Sequence, residues 1–211
     1  IPLAHGYLKA MKSYLEKHGI LTIIDEVQTG FGRLGDHFWG FQMHDVIPDI
    51  VVLGKPMGNG HPIAAVVTTN QIADAFASGM EFFSSFGGNT VSCAAANAVL
   101  EVIEEEELTN HAKETGEYFV NGLVSLQKEF SIIGDIRGQG LFLGIEFVQE
   151  NLEPNTELAA YVKNQLKENF VLSGTDGPFE NVLKIKPPLC FNKKNVDQFV
   201  NTLHQILKTN H

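Results

Sequence analysis

Two short apolar runs constrain this chain more than anything else in it: Leu21-Thr22-Ile23-Ile24-Asp25-Glu26-Val27, and Ile50-Val51-Val52-Leu53 followed at once by Gly54-Lys55. Both have the length and branching of buried strands. The first carries an acid near its end and the second leads straight into a lysine. If the two lie parallel in one sheet, Asp25 and Lys55 emerge together at its carboxyl edge, where open α/β sheets bind their ligands.

The remaining pattern fits an α/β protein of two parts. An amphipathic helix is predicted over residues 5–18, with Leu8, Met11 and Leu15 at helical spacing and a stop at Gly19. Residues 29–48 read as loop, rich in glycine and aromatics. Residues 63–69 read as a third strand, and Pro56 and Pro62 argue against regular structure before it. Alanine-rich helical spacing covers residues 91–108, and a second helix is expected over 110–128. Beyond Phe130 the pattern becomes strands at 132–136 and 140–148, a helix at 156–169, a strand at 182–185 and a helix at 194–208. The expected division is therefore 1–130, part of a larger sheet domain, and 131–211, a smaller α+β domain. The chain opens without methionine and already inside a predicted helix, so it is expected to be a piece of something longer.

Composition excludes several classes. A net charge of −10 argues against a nucleic-acid surface. No apolar run approaches the roughly 20 residues of a bilayer span, and the first residues lack a signal-peptide pattern, so no membrane association and a cytoplasmic location are expected. The two cysteines, Cys93 and Cys190, form no CxxC, and the histidines lack ligand spacing, so no metal site is expected.

Gly30-Phe31-Gly32-Arg33-Leu34-Gly35 matches GxGxxG after a strand, but no helix opens at the glycines and no acid closes the next strand, so a dinucleotide site is rejected. Pro56 after Gly54-Lys55 likewise rejects a phosphate-binding P-loop, and neither HExxH nor GxSxG occurs. Lysine chemistry survives. A Schiff base needs an amine able to lose its proton, Gly54 permits close approach of a cofactor, and a pyridine nitrogen needs a carboxylate such as Asp25 to stay protonated. On these residues alone, a capping acid and a surface lysine remain an equal reading.

The longer pattern resembles one family. Ile24-Asp25-Glu26-Val27-Gln28-Thr29-Gly30-Phe31-Gly32-Arg33-Leu34-Gly35, then Pro48-Asp49-Ile50, Gly54-Lys55, Gly60-His61-Pro62, Ser85-Phe86-Gly87-Gly88-Asn89, Arg137-Gly138-Gln139-Gly140-Leu141 and Pro187-Pro188-Leu189 are similar to the signature of class III aminotransferases. The resemblance spans essentially the whole chain and implies a fold type I enzyme of pyridoxal 5'-phosphate, here the carboxyl-terminal half of the large domain plus the small domain. It implies a catalytic Schiff-base lysine at Lys55 that also shuttles the substrate proton, and Asp25 on the pyridine nitrogen. Val27 would lie on the ring, Gln28 on its phenolic oxygen, and Ser85 on the cofactor phosphate of the neighbouring subunit of a homodimer. Ser85 replaces the family's usual threonine, and Thr90 its usual proline.

The resemblance also implies what this stretch lacks. The family's Ser-Gly-rich phosphate turn and ring-stacking aromatic belong to the amino-terminal half, so the isolated chain is expected to bind the cofactor weakly or not at all. A truncated, non-catalytic module is the corresponding alternative. Lys184 stands where many members place a carboxylate-clasping arginine, and lysine is a point charge rather than a fork. Arg137 is read either as a tie to local carbonyls or as a substrate clasp. The expected reaction is amino transfer between a small amine or amino acid and an oxo acid. The segment Gly54 to Pro62 and Lys184-Ile185-Lys186-Pro187-Pro188 are also similar to the alanine-glyoxylate-aminotransferase-2-like subgroup, which includes phospho-lyases acting on phosphoethanolamine or phosphohydroxylysine. Phosphate elimination is therefore the close alternative.

Overall fold

A computed structural model describes residues 3–209. It forms two compact units, one of residues 3–32 and 36–109 and the other of residues 33–35 and 110 onward.

The first unit begins with α1 (Tyr7–Lys17), which leads into β1 (Ile23–Asp25). A 3-10 turn (Gly40–His44) precedes β2 (Ile50–Leu53), which runs parallel to β1 with Ile23 opposite Ile50 and Asp25 opposite Val52. β3 (Ala65–Thr68) then returns antiparallel to β2, with Leu53 opposite Ala65. α2 (Asn70–Ala77) and α3 (Thr90–Glu105) complete the unit, each started by its own cap: Thr69 accepts from Ile72 N, and Asn89 from Val91 N and Ser92 N.

The entry ends of the strands are fixed by Asp49. Its Oδ2 accepts from Lys12 Nζ, Thr22 N and Thr22 Oγ1, each at 2.7 Å, while its carbonyl accepts from Thr68 Oγ1 at 2.8 Å. One carboxylate thus ties α1 to β1, and its backbone ties β2 to β3. The Lys12 hydrogen bond, followed by those from Thr22, lowers the Asp49 pKa to about 2.

The second unit is a four-stranded antiparallel sheet in the order β4 (Ile133–Gln139), β5 (Phe142–Phe147), β7 (Val182–Ile185), β6 (Gly174–Asp176). β5 alternates strictly, burying Leu143, Ile145 and Phe147 on one face, and Leu183 and Ile185 of β7 continue that face. Helices α4 (Leu108–Glu129), α5 (Thr156–Glu168) and α6 (Lys193–Thr209) join the same core through Phe119, Leu123, Leu158, Val162, Phe199 and Leu203. Each such side chain contributes about 1.5–3 kcal/mol by leaving water.

The compact units part near residue 109, because α4 buries Phe119, Leu123 and Leu126 in the second core, while the expected division of 1–130 and 131–211 falls at the end of that helix. Two elements escaped the sequence reading altogether, α2 and β6.

Candidate active site

The parallel register of β1 and β2 places Asp25 and the Gly54-Lys55 step at one edge of the sheet. Glu26 N extends the ladder to Val52 O at 2.9 Å, and the chain then turns away. Val27 N donates to Asp25 Oδ1 at 2.9 Å, which closes an Asx-type turn and fixes the carboxylate at the exposed strand end. Val27 reaches across to the neighbouring strand: its Cγ2 lies 3.5 Å from where a β-carbon on Gly54 would stand.

Lys55 follows with φ +34°, in the left-handed region that a side chain rarely adopts. It opens a 3-10 turn (Lys55–Gly58) closed by Met57 N donating to Gly54 O at 3.0 Å and Asn59 N to Pro56 O at 3.1 Å. Pro56 does not prevent this turn, contrary to the expectation, because the first residues of a helical turn have no internal acceptor for their N–H groups. The Lys55 side chain is exposed, and its amine has no hydrogen-bond or ion-pair partner among the described residues. Backbone strain of this kind costs about 1–3 kcal/mol and concentrates at functional sites.

One residue that the sequence reading passed over, Glu26, holds this region in place, and another, Arg33, ties together the second unit. Glu26 is fully buried, and its carboxylate accepts from Thr29 Oγ1 at 2.7 Å, Gly40 N at 2.9 Å and Phe41 N at 2.8 Å. Those bonds organise the glycine-rich loop, in which Gly30 has no room for a β-carbon because Trp39 would lie 2.9 Å away. The available signal was an acid inside an apolar run with threonine three residues on, since a buried carboxylate requires several donors. Arg33, in the second unit, donates from Nη1 to Leu141 O at 3.1 Å and Pro187 O at 2.7 Å.

Other expected site residues lie elsewhere. Ser85 sits in an exposed segment between α2 and α3. Gln28 follows Val27 in the turn after β1 and is half-buried. In the second unit, Lys184 Nζ pairs with Asp176 Oδ2 at 2.7 Å, which lowers the Asp176 pKa together with the Gly177 N–H. Arg137 pairs through Nη1 with Asp135 Oδ2 at 2.8 Å and with Glu146 Oε2. Its partners are carboxylates of its own sheet, whereas the tie to carbonyls expected of it is made by Arg33. Glu146 is also held by Asn181 Nδ2 at 3.2 Å. Among the described residues no cluster of His, Cys, Asp or Glu is assembled that could hold a metal, and no helix is long and apolar enough to cross a membrane.

Comparison with known proteins identifies the family. The family model for aminotransferase class III matches residues 1–207. A curated relative from Drosophila melanogaster, named alanine--glyoxylate aminotransferase 2-like, is 51% identical over 92% of this chain and 40% of its own length. Human alanine--glyoxylate aminotransferase 2, mitochondrial, is 44% identical over 96% of this chain and 40% of its own length. A solved phospholyase from Arthrobacter in complex with phosphoethanolamine superposes with a TM-score of 0.96 at 39% identity, over 99% of this chain and 50% of that one. The chain thus spans about two fifths of the length of these curated relatives. It belongs to the class III aminotransferases, an enzyme family, and has the mixed α/β architecture of the C-terminal part of a fold type I enzyme.

Proposed function

We propose that this chain supplies the lysine-bearing part of a pyridoxal 5'-phosphate site that transfers an amino group between an amine or amino acid and an oxo acid. The carrying observation is that β1 and β2 bring Asp25 and Gly54-Lys55 to one carboxyl edge, with Val27 packed against Gly54. The residues fit the cofactor: an unpartnered exposed amine and a carboxylate at one sheet edge, with no side chain on Gly54 to obstruct approach. When bound, pyridoxal phosphate supplies an electron sink for the bond-breaking step.

Lys55 would bond the cofactor through its Nζ and, once released from it, would take up the substrate proton on that nitrogen and return it. Asp25, oriented by the Val27 N–H, would keep the pyridine nitrogen protonated. Val27 would lie on the ring and Gln28 would hydrogen-bond its phenolic oxygen. Ser85 would bind the cofactor phosphate of the second subunit in a homodimer. That assignment is supported by the apolar exposure around it, where Phe82, Phe83 and Phe86 are 71%, 82% and 88% exposed. Lys184 is the candidate for the substrate anion, with Arg137 second. The division 1–130 and 131–211 is retained as a division of roles, cofactor side and substrate side.

A cytoplasmic location is part of the proposal, and imaging of the tagged protein decides between it and the compartment named for the human relative. The isolated 211-residue chain is proposed to hold the cofactor weakly. A stable, reducible lysine adduct on that chain alone would contradict this.

The likeness to the Arthrobacter phospholyase supports a second reading, elimination of phosphate from a small amino-phosphate. Release of inorganic phosphate and ammonia without an oxo-acid acceptor selects elimination, and strict dependence on the acceptor selects transamination.

A further inference from the structure

The chain between β2 and β3 carries Lys55 out of the sheet and back, and its internal hydrogen bonds are all short-range: Met57 to Gly54, Asn59 to Pro56 and His61 to Gly58. Two side-chain hydrogen bonds, both through Ser92, tie this connection to α3. His61 Nε2 lies 2.9 Å from Ser92 Oγ, in the first turn of α3. The Ser92 hydroxyl also lies 3.5 Å from Pro62 O, so the arrangement that uses every proton has His61 Nε2–H donating to Ser92 Oγ and the hydroxyl proton facing Pro62.

Ser92 is itself anchored. Asn89 Oδ1 accepts from Ser92 N at 3.1 Å and from Val91 N at 3.0 Å, Asn89 N donates to Phe86 O at 3.3 Å, and Gly87 N donates to Ser84 Oγ at 3.0 Å. Hydrogen bonds joined by short stretches of chain therefore link the turn that holds Lys55 to the residues flanking Ser85. The Ser85-bearing segment is exposed, Asn59 and Gly60 carry positive φ of 45° and 105°, and the Lys55–Gly58 turn packs against α3. The His61–Ser92 pair adds a directional side-chain hydrogen bond to that packing.

We propose that His61 and Ser92 are positioning residues that lock the Lys55-bearing turn to the Ser85-bearing loop, so that the lysine of one site and the hydroxyl offered to the second subunit's site keep a fixed geometry. This rests on the assignment of Lys55 and Ser85 to the cofactor. Neither His61 nor Ser92 need touch the reacting atoms. Their effect passes through the backbone, so it falls on how well the cofactor is held and on kcat more than on KM.

The test uses the complete protein carrying His61→Ala, Ser92→Ala, both together, and the conservative changes His61→Gln and Ser92→Thr, which keep a donor and a hydroxyl. The measurements are the dissociation of pyridoxal phosphate, followed by absorbance of the lysine-bound form, and kcat and KM separately. Each alanine change is expected to weaken cofactor retention about 5- to 20-fold and to lower kcat with KM nearly unchanged, the double change costing no more than either one. His61→Gln and Ser92→Thr are expected within about threefold of the unaltered protein. Additive losses, or thermal stability that falls while cofactor retention does not, would overturn the proposal. If His61→Ala fails to fold, the Ser92→Ala and Ser92→Thr comparison decides in the same way. An unaltered protein that never forms the lysine-bound species fails the functional assignment instead, so the two outcomes are distinct.

Discussion

Val27 Cγ2 lies 3.5 Å from the point a β-carbon on Gly54 would occupy, so the turn after Asp25 and the residue before Lys55 are packed together with nothing between them. The backbone of Gly54 is extended (φ −178°), a conformation open to any residue. Gly54→Ala should therefore be neutral or stabilising by up to about 1 kcal/mol, through loss of unfolded-state freedom. On the cofactor side the added methyl narrows the approach. Denaturant titration should show an unchanged or higher midpoint while cofactor retention falls.

Glu26 gives the larger stability effect. Truncation to alanine leaves the Gly40 and Phe41 N–H groups and the Thr29 hydroxyl without their buried acceptor, at a cost of about 2–4 kcal/mol. Glu26→Gln puts an amide donor against one of these donors and should cost about 1–3 kcal/mol. Urea unfolding measures both, and a loss below 0.5 kcal/mol on either, read against the usual effect of a surface change, contradicts the buried role.

The Asp49 clasp predicts an acid limb. Its pKa falls from 3.8 unfolded to about 2 folded, so its contribution is complete above pH 3.8 and disappears as pH drops toward 2. For Lys12, burial pulls the pKa down but the hydrogen bonds to Asp49 and Glu16 outweigh it, so the net shift is upward and its contribution is lost only as pH rises above 10.5. Stability measured against pH should fall between pH 4 and pH 2, and Asp49→Asn should be less stable at pH 7 with a shallower acid decline. An unchanged acid slope would count against the clasp.

In the second unit, Phe119 is wholly buried between Phe191, at a ring separation of 6.0 Å, and Phe199 at 5.1 Å. Phe119→Ala should cost about 3–5 kcal/mol, read as a shifted unfolding midpoint. An exposed site such as Tyr14 serves as the control, where truncation should stay within about 0.5 kcal/mol.

The paired strands were legible because Ile50 to Leu53 and the run around Ile24 are short, β-branched and continuous, a pattern that favours strand, although β1 is largely exposed and β2 half-buried in this unit rather than buried as expected. β6 was not, since Gly174, Thr175 and Asp176 carry no apolar signal and the strand exists through pairing with β7. α2 was missed because its apolar residues do not form a buried stripe: Phe76 is exposed and the helix rests on the Thr69 cap. At the site, Asp25 and Lys55 were visible because strand ends position them. Glu26 left one local trace, Thr29 three residues on, but its Gly40 and Phe41 donors and the partners of Arg33 and His61 lie 14 to 154 residues away, beyond any local pattern.

The first unit also exposes apolar sheet residues. Ile23 is 64% exposed and Val66 66%, in a sheet of only three strands. The family's other residues, more than half of each curated relative's length, lie outside the match.

The central claim is that Lys55 is the covalent lysine, and borohydride reduction of the complete protein after addition of pyridoxal phosphate tests it directly. Peptide mass spectrometry should find the pyridoxyl group on Lys55, and none on the Lys55→Ala protein. A stoichiometric adduct on Lys184, Lys186 or another lysine, or no adduct at all, would contradict the account.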